Sequence, residues 1–113
     1  RGFIFAAPLS YRLGIPFVPI RKQGKLPCDI HTVTYDLEYG SDAVEVHVDA
    51  ISVGDRALIV DDLLATGGTL SASAKLIELA GAEVAGLAVV IELDDLNGRS
   101  VLSDYDIHTL VHY

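Results

Sequence analysis

Two adjacent carboxylates, Asp61 and Asp62, follow the apolar run Ala57-Leu58-Ile59-Val60 and stand just before Ala65-Thr66-Gly67-Gly68-Thr69. Glycines let a backbone come close to a ligand, and free amides at a following helix N-terminus aim partial positive charge at an anion. Thr66 and Thr69 add hydroxyl donors, so the loop can hold a phosphate without a lysine. Two carboxylates facing that phosphate would oppose it. Asp61 and Asp62 are better suited to accepting hydrogen bonds from sugar hydroxyls or reaching a hydrated Mg²⁺. A phosphate beside a ribose is the implied ligand. A Walker A loop would end in Gly-Lys-Ser/Thr and a dinucleotide loop would read Gly-x-Gly-x-x-Gly; neither is in place, which removes ATPase and dehydrogenase readings. The plainer alternative is a glycine-rich turn with exposed acids.

The flanking segments supply a frame for this loop. Ala57 to Val60 reads as a strand covered on both faces that ends at the two aspartates. Leu70, Ala74 and Ile77 recur at helical spacing, predicting a helix over 69–80 that stops at Gly81. Val84 to Leu93 repeats the buried-strand pattern, and Ile107 to Tyr113 reads as a last strand after a connection containing Asn97-Gly98. Strand, helix and strand form a βαβ unit, so the fold class is α/β with a parallel sheet and helices on both faces. Ligands of such sheets bind beyond the carboxyl ends of the strands, where the Asp61 loop lies.

Upstream, Phe3 to Leu13 suits a short helix ending at Gly14, with Pro8 in its first turns. Phe17-Val18-Pro19-Ile20 reads as a strand, irregular or at an edge because of Pro19. Residues 23–40 show no periodicity and read as a long loop, a type of segment that is usually functional or disordered. Val44-Glu45-Val46-His47-Val48 alternates strictly, predicting a half-exposed strand with its valines inward and His47 on the polar face.

With 113 residues, 50% of them apolar, the chain supports one domain over 1–113. Sixteen acidic against eight basic side chains give a net charge of -8, so phosphate binding must be local and nucleic acid is an unfavourable partner. The one cysteine, Cys28, rules out an internal disulfide framework and fits a cytoplasmic protein. The longest apolar stretch, Ala85 to Ile91, is far short of the roughly 20 residues that cross a bilayer, so no membrane partner is expected.

Val60-Asp61-Asp62-Leu63-Leu64-Ala65-Thr66-Gly67-Gly68-Thr69 closely resembles the phosphoribosyl pyrophosphate loop of type I phosphoribosyltransferases. The resemblance implies that Asp61 and Asp62 hold the ribose 2′ and 3′ hydroxyls, and that Ala65, Thr66, Gly67, Gly68 and Thr69 wrap the 5′-phosphate. Three further blocks resemble, in order, those of adenine phosphoribosyltransferases: Arg1-Gly2-Phe3, Arg21-Lys22-Gln23-Gly24-Lys25-Leu26-Pro27 and Tyr35-Asp36-Leu37-Glu38-Tyr39-Gly40. By that resemblance Arg1, Arg21, Lys22 and Lys25 face the pyrophosphate, and the flexible loop bearing Glu38 and Tyr39 closes over the site as a lid. A solvated turn is the bland alternative for the three basic residues near position 22.

The activity implied is purine salvage: phosphoribosyl transfer from phosphoribosyl pyrophosphate to adenine, giving AMP and pyrophosphate. Mg²⁺ is bound mainly through phosphoribosyl pyrophosphate, with no direct protein ligand expected. A homodimer is the implied assembly. Glu38 is the candidate catalytic residue, since a carboxylate in a closed, partly dry site can share the proton that the attacking ring nitrogen loses. His31, His47, His108 and His112 lack metal-ligand spacing and read as surface or structural groups. Cys28 has no visible base partner for a nucleophilic role.

The family has a region before Arg1-Gly2-Phe3 that supplies a base-covering hood and a central strand. The expectation is therefore a fragment, or a chain completed by another chain, with strands otherwise left unpaired. Other readings are a transferase for hypoxanthine or xanthine, which should lack Leu37-Glu38-Tyr39-Gly40, a regulatory module that senses phosphoribosyl pyrophosphate, and an inactive remnant.

Overall fold

The computed structural model describes residues 1–37 and 39–113. In chain order the elements are α1 (Phe3–Leu13), β1 (Arg21–Lys22), β2 (Ile30–Asp36), β3 (Ser41–His47), β4 (Arg56–Leu64), α2 (Gly68–Leu79), β5 (Glu83–Glu92) and β6 (Ile107–His112), with two 3-10 turns, Asp94–Leu96 and Gly98–Leu102, between β5 and β6. The strands form two three-stranded sheets, β1-β3-β2 and β4-β5-β6. The first is antiparallel and the second parallel, as a βαβ crossover through α2 requires. Among the described residues no strand pairs with the outer edge of β4.

One helix serves both sheets. Leu70, Ala74 and Ile77 of α2 pack with Ile59, Leu64, Leu87 and Val89 of the parallel sheet and with Leu102 of the second 3-10 turn. Ala72 and Leu76 pack with Val44 and Val46 of β3 on the other side. Helical spacing puts these two sets on different faces, so α2 is buried on two sides and leaves Lys75, Glu78 and Leu79 exposed. Leu64, Leu70, Leu76 and Leu87 are almost wholly buried, each contributing roughly 1.5–3 kcal/mol. Leu76→Ala would open a cavity at the junction and cost about 2–5 kcal/mol.

Both helix ends match their glycine signals: Gly14 caps α1 at φ 67°, and Gly81 follows α2 at φ 83°. Several expectations need correction. Phe17 to Ile20 is not a strand; Pro16 and Pro19 each remove an amide, so Val18 and Ile20 pack on the core without a ladder, and pairing starts at Arg21. Residues 23–40 are not one loop. Ile30–Asp36 is a seven-residue strand paired with β3, its Val33 and Tyr35 turned to the core. Its threonines, polar in composition, are β-branched strand formers.

Finally, β4 does not end at the aspartates. It runs through them to Leu64 because the ten-residue β5 continues to pair, with Asp61 opposite Val89 and Leu63 opposite Ile91. Nor is β4 covered on both faces, since Ile59 is 8% exposed and Leu58 47%. On β3, Val44 and Val46 point inward as expected, but the strand ends at His47, Val48 is exposed, and Glu45 is buried too, accepting from the Gly24 amide at 3.0 Å.

Candidate active site

Site construction begins at the carboxyl end of β4. The amide of Asp62 donates to Asp61 Oδ1 at 2.9 Å, which turns the first carboxylate along its own strand. Burial, together with the neighbouring Asp62, raises the pKa of Asp61 above the usual carboxylate range. Burial acts the same way on Asp62, where the hydrogen bond with Asp61 opposes it. Of the pair, Asp61 is therefore the harder to ionise. The amino nitrogen of Arg1 lies 3.6 Å from Asp62 Oδ1, at the mouth of the site. Behind it Gly2 is pressed on β4: a Cβ there would stand 2.5 Å from the Val60 carbonyl oxygen and 2.7 Å from Asp61 Cα.

After β4 the chain turns through Ala65, Thr66 and Gly67 into α2. Gly67 is the N-cap at φ 85°. No side chain caps this end and no acid lies in its first turn, so the first amides of α2 keep their capacity for an anion. The turn is supported from behind, where a Cβ on Gly67 would meet Val101 Cγ2 at 2.6 Å and the Gly98 carbonyl at 2.7 Å.

A cavity of about 280 Å³ joins these parts: Arg1, Lys22, Asp61, Asp62, Leu63, the run Ala65 to Thr69, and Leu70 line it. Lys22 reaches it from β1. Its ammonium is bonded to the Tyr35 hydroxyl and, at 2.5 Å, to Asp42 Oδ2. Burial disfavours its charge, but the bonds to Asp42 and Tyr35 prevail and raise its pKa; the same bond to Lys22 lowers that of Asp42.

Of the residues named from sequence, Arg1, Lys22, Asp61, Asp62, Ala65, Thr66, Gly67, Gly68 and Thr69 converge on this cavity. Arg21 is exposed and, one residue along a strand from Lys22, turns to the other side. Lys25 and Tyr39 are exposed and do not line the cavity. Glu38 lies outside the described residues. Cys28 is exposed.

Sequence reasoning missed Tyr35, Asp42, Gly2 and Gly98. Tyr35 and Asp42 are cross-strand partners in the β2/β3 pair, and their signal was the hairpin turn at Gly40 between two alternating runs. A second cluster, Glu92, Asp94 and His112, brings ligand atoms within 4.8 Å of one another. Its buried carboxylate is already occupied: Arg99 donates to both Glu92 oxygens at 2.7 and 2.8 Å and Thr109 to one at 2.7 Å.

The arrangement can hold a phosphate at the turn, sugar hydroxyls at the aspartates and a further anionic group at Lys22 and Arg1. The family described as "Phosphoribosyl transferase domain" matches residues 1–111. An adenine phosphoribosyltransferase of Clostridium perfringens (strain 13 / Type A) is 61% identical over 113 residues, covering 100% of this chain and 66% of the relative. One from a Synechococcus species is 59% identical with the same coverage. Among solved structures, the adenine phosphoribosyltransferase of Thermoanaerobacter pseudethanolicus superposes with a TM-score of 0.97 at 54% identity, over 100% of this chain and 66% of that one. The Saccharomyces cerevisiae enzyme, complexed with an imino-altritol bisphosphate and adenine, gives 0.93 at 45% identity, over 97% of this chain and 62% of that one. The chain thus spans 66% of the length of the curated relatives it matches.

Proposed function

The chain belongs to the phosphoribosyl transferase domain family, and from that premise we propose that it carries the phosphoribosyl-pyrophosphate-binding machinery of a purine-salvage enzyme that makes AMP from adenine. The observation that carries this reading is the single cavity in which Asp61 and Asp62, the turn from Ala65 to Thr69, and Lys22 meet.

In the reaction, N9 of adenine bonds to C1′ of the ribose while the bond from C1′ to the pyrophosphate oxygen breaks. Pyrophosphate leaves with the electron pair, and the N9 proton passes to a base. The turn and the amides of α2 hold the 5′-phosphate, and the aspartates accept from the ribose hydroxyls, fixing C1′ relative to both partners. Lys22 and Arg1 stabilise the charge that develops on pyrophosphate; Arg21 and Lys25 would join them only if β1 and the segment after it moved inward. Glu38 is the proposed proton acceptor. Mg²⁺ suits the site as a hydrated ion carried on the pyrophosphate, since the charged Asp62 offers the hard oxygen acceptor such an ion takes through water. When bound, it would neutralise charge on the leaving group.

Adenine as the base rests on the named relatives and on the Leu37-Glu38-Tyr39-Gly40 block. A cytoplasmic homodimer belongs to the same reading; no helix among the described residues is long and apolar enough to cross a membrane. The test is AMP formation by the purified chain with adenine, phosphoribosyl pyrophosphate and Mg²⁺, run beside hypoxanthine, guanine and xanthine, with calorimetric titration of phosphoribosyl pyrophosphate alone. Binding with turnover confined to adenine is expected. Turnover with another base would overturn the base assignment, and absence of binding would overturn the site.

A further inference from the structure

Tyr35 reaches from β2 to the N-terminus of α2 and lines, with Thr66 and Gly68, a pocket that adjoins the cavity. Its hydroxyl accepts from the Lys22 ammonium and lies 3.1 Å from Thr69 Oγ1 and 3.3 Å from Asp42 Oδ2. Its ring lies flush on Gly68, where a Cβ would come 3.2 Å from Tyr35 Cδ2, and 4.8 Å beneath the Lys22 nitrogen.

A phenol has one proton to give. A carboxylate oxygen accepts more than one bond, so Asp42 Oδ2 takes that proton at 3.3 Å beside its bond from Lys22, and the phenol oxygen accepts from Lys22 and from Thr69 Oγ1 at 3.1 Å. Thr69 Oγ1 then donates to Tyr35, which fixes its side chain in the first turn of α2. Lys22 spends two of its donors on Tyr35 and Asp42 and keeps the third for a ligand. One hydroxyl thereby holds two side chains that line the cavity, Thr69 at the phosphate turn and Lys22 from β1.

Resting on the site reading above, we infer that Tyr35 is a positioning residue that couples the 5′-phosphate and pyrophosphate subsites. It holds Thr69 and Lys22 in a fixed relation to one another. A ligand carrying both phosphates uses that fixed relation. A ligand carrying only one lets the other end relax, and so gains little from it.

The test is calorimetric titration of wild type, Tyr35→Phe and Asp42→Asn with three probes at one salt concentration: phosphoribosyl pyrophosphate, ribose 5-phosphate and pyrophosphate. Tyr35→Phe keeps the ring and removes only the hydroxyl. It should weaken phosphoribosyl pyrophosphate about ten-fold, the size of one hydrogen bond, and each fragment less than about three-fold. Asp42→Asn, which leaves the contact between Tyr35 and Thr69 in place, should keep the wild-type preference for the whole ligand.

Equal loss across the three probes in Tyr35→Phe, or no loss, would overturn the coupling while leaving the site reading intact. Wild type that binds none of the probes would overturn the site reading itself. A second measurement needs no substitution: pyrophosphate should bind wild type more tightly once ribose 5-phosphate saturates it, although two anions side by side repel. Equal or weaker binding would overturn the coupling even if Tyr35→Phe failed to fold.

Discussion

Gly67 turns its bare α-carbon to the carbonyl of Gly98, so closely that a methyl group would stand 2.7 Å from that oxygen. The phosphate turn is thus braced by the second 3-10 turn, more than thirty residues further along the chain. Gly67→Ala meets both this overlap and a φ of 85°, and should cost about 2 kcal/mol in urea unfolding and abolish phosphoribosyl pyrophosphate binding. Normal binding by the variant would remove the turn from the site.

Lys22 and Arg21 look alike in sequence but lie on opposite sides of β1. Lys22→Met should weaken pyrophosphate at least ten-fold, and Arg21→Met by less than about three-fold, because only Lys22 lines the cavity. Equal losses in the two titrations would mean that β1 moves on binding and brings Arg21 in.

Asp61 has a pKa above its ordinary value, chiefly through burial. A raised carboxyl favours the fold while it keeps its proton. That contribution is full below the unfolded value and is lost as pH rises through the folded one. At pH 7 the buried charge is a cost, so Asp61→Asn should raise the melting temperature there. The gain should vanish near pH 3, and ribose 5-phosphate binding should fall at least ten-fold at neutral pH. A variant no more stable than wild type at pH 7 would contradict the shift.

Glu92 has the opposite sign, its carboxyl held below the usual range by the Arg99 bond, which overcomes burial. Its contribution is present above the ordinary value and is lost as pH falls through the lowered one. Arg99→Leu leaves that buried carboxylate with only the Thr109 hydrogen bond of the two side chains that donate to it and should cost about 2 kcal/mol at pH 7, less than the roughly 3–5 kcal/mol of a fully buried pair because Arg99 is half exposed. The difference should close as pH is lowered below about 4. A pH-independent gap in urea unfolding would argue for lost packing instead.

Glu38→Gln should reduce turnover about a hundred-fold with phosphoribosyl pyrophosphate affinity unchanged, the signature of a group needed only for the proton. An unchanged rate would exclude Glu38 as the acceptor.

Local pattern alone made the Asp61 to Thr69 segment readable. Glycine, threonine and paired acids between a strand and a helix can serve few ends, and the same holds for the helix stops at Gly14 and Gly81. Proline chemistry and threonine's dual nature obscured β1 and β2: Pro19 suggested an irregular strand where no ladder forms, and the threonines of Ile30–Asp36 suggested a loop. Without β2 there was no register to set Tyr35 opposite Asp42. The sequence by itself therefore determined what the site is made of, because ligand chemistry depends on residue types within a few positions of each other. Only the tertiary structure decided which of the three cations near position 22 reaches the cavity, that Gly98 braces Gly67, and that Tyr35 joins Lys22 to Thr69. Those outcomes depend on how two sheets pack across one helix, a long-range arrangement that no local spacing encodes.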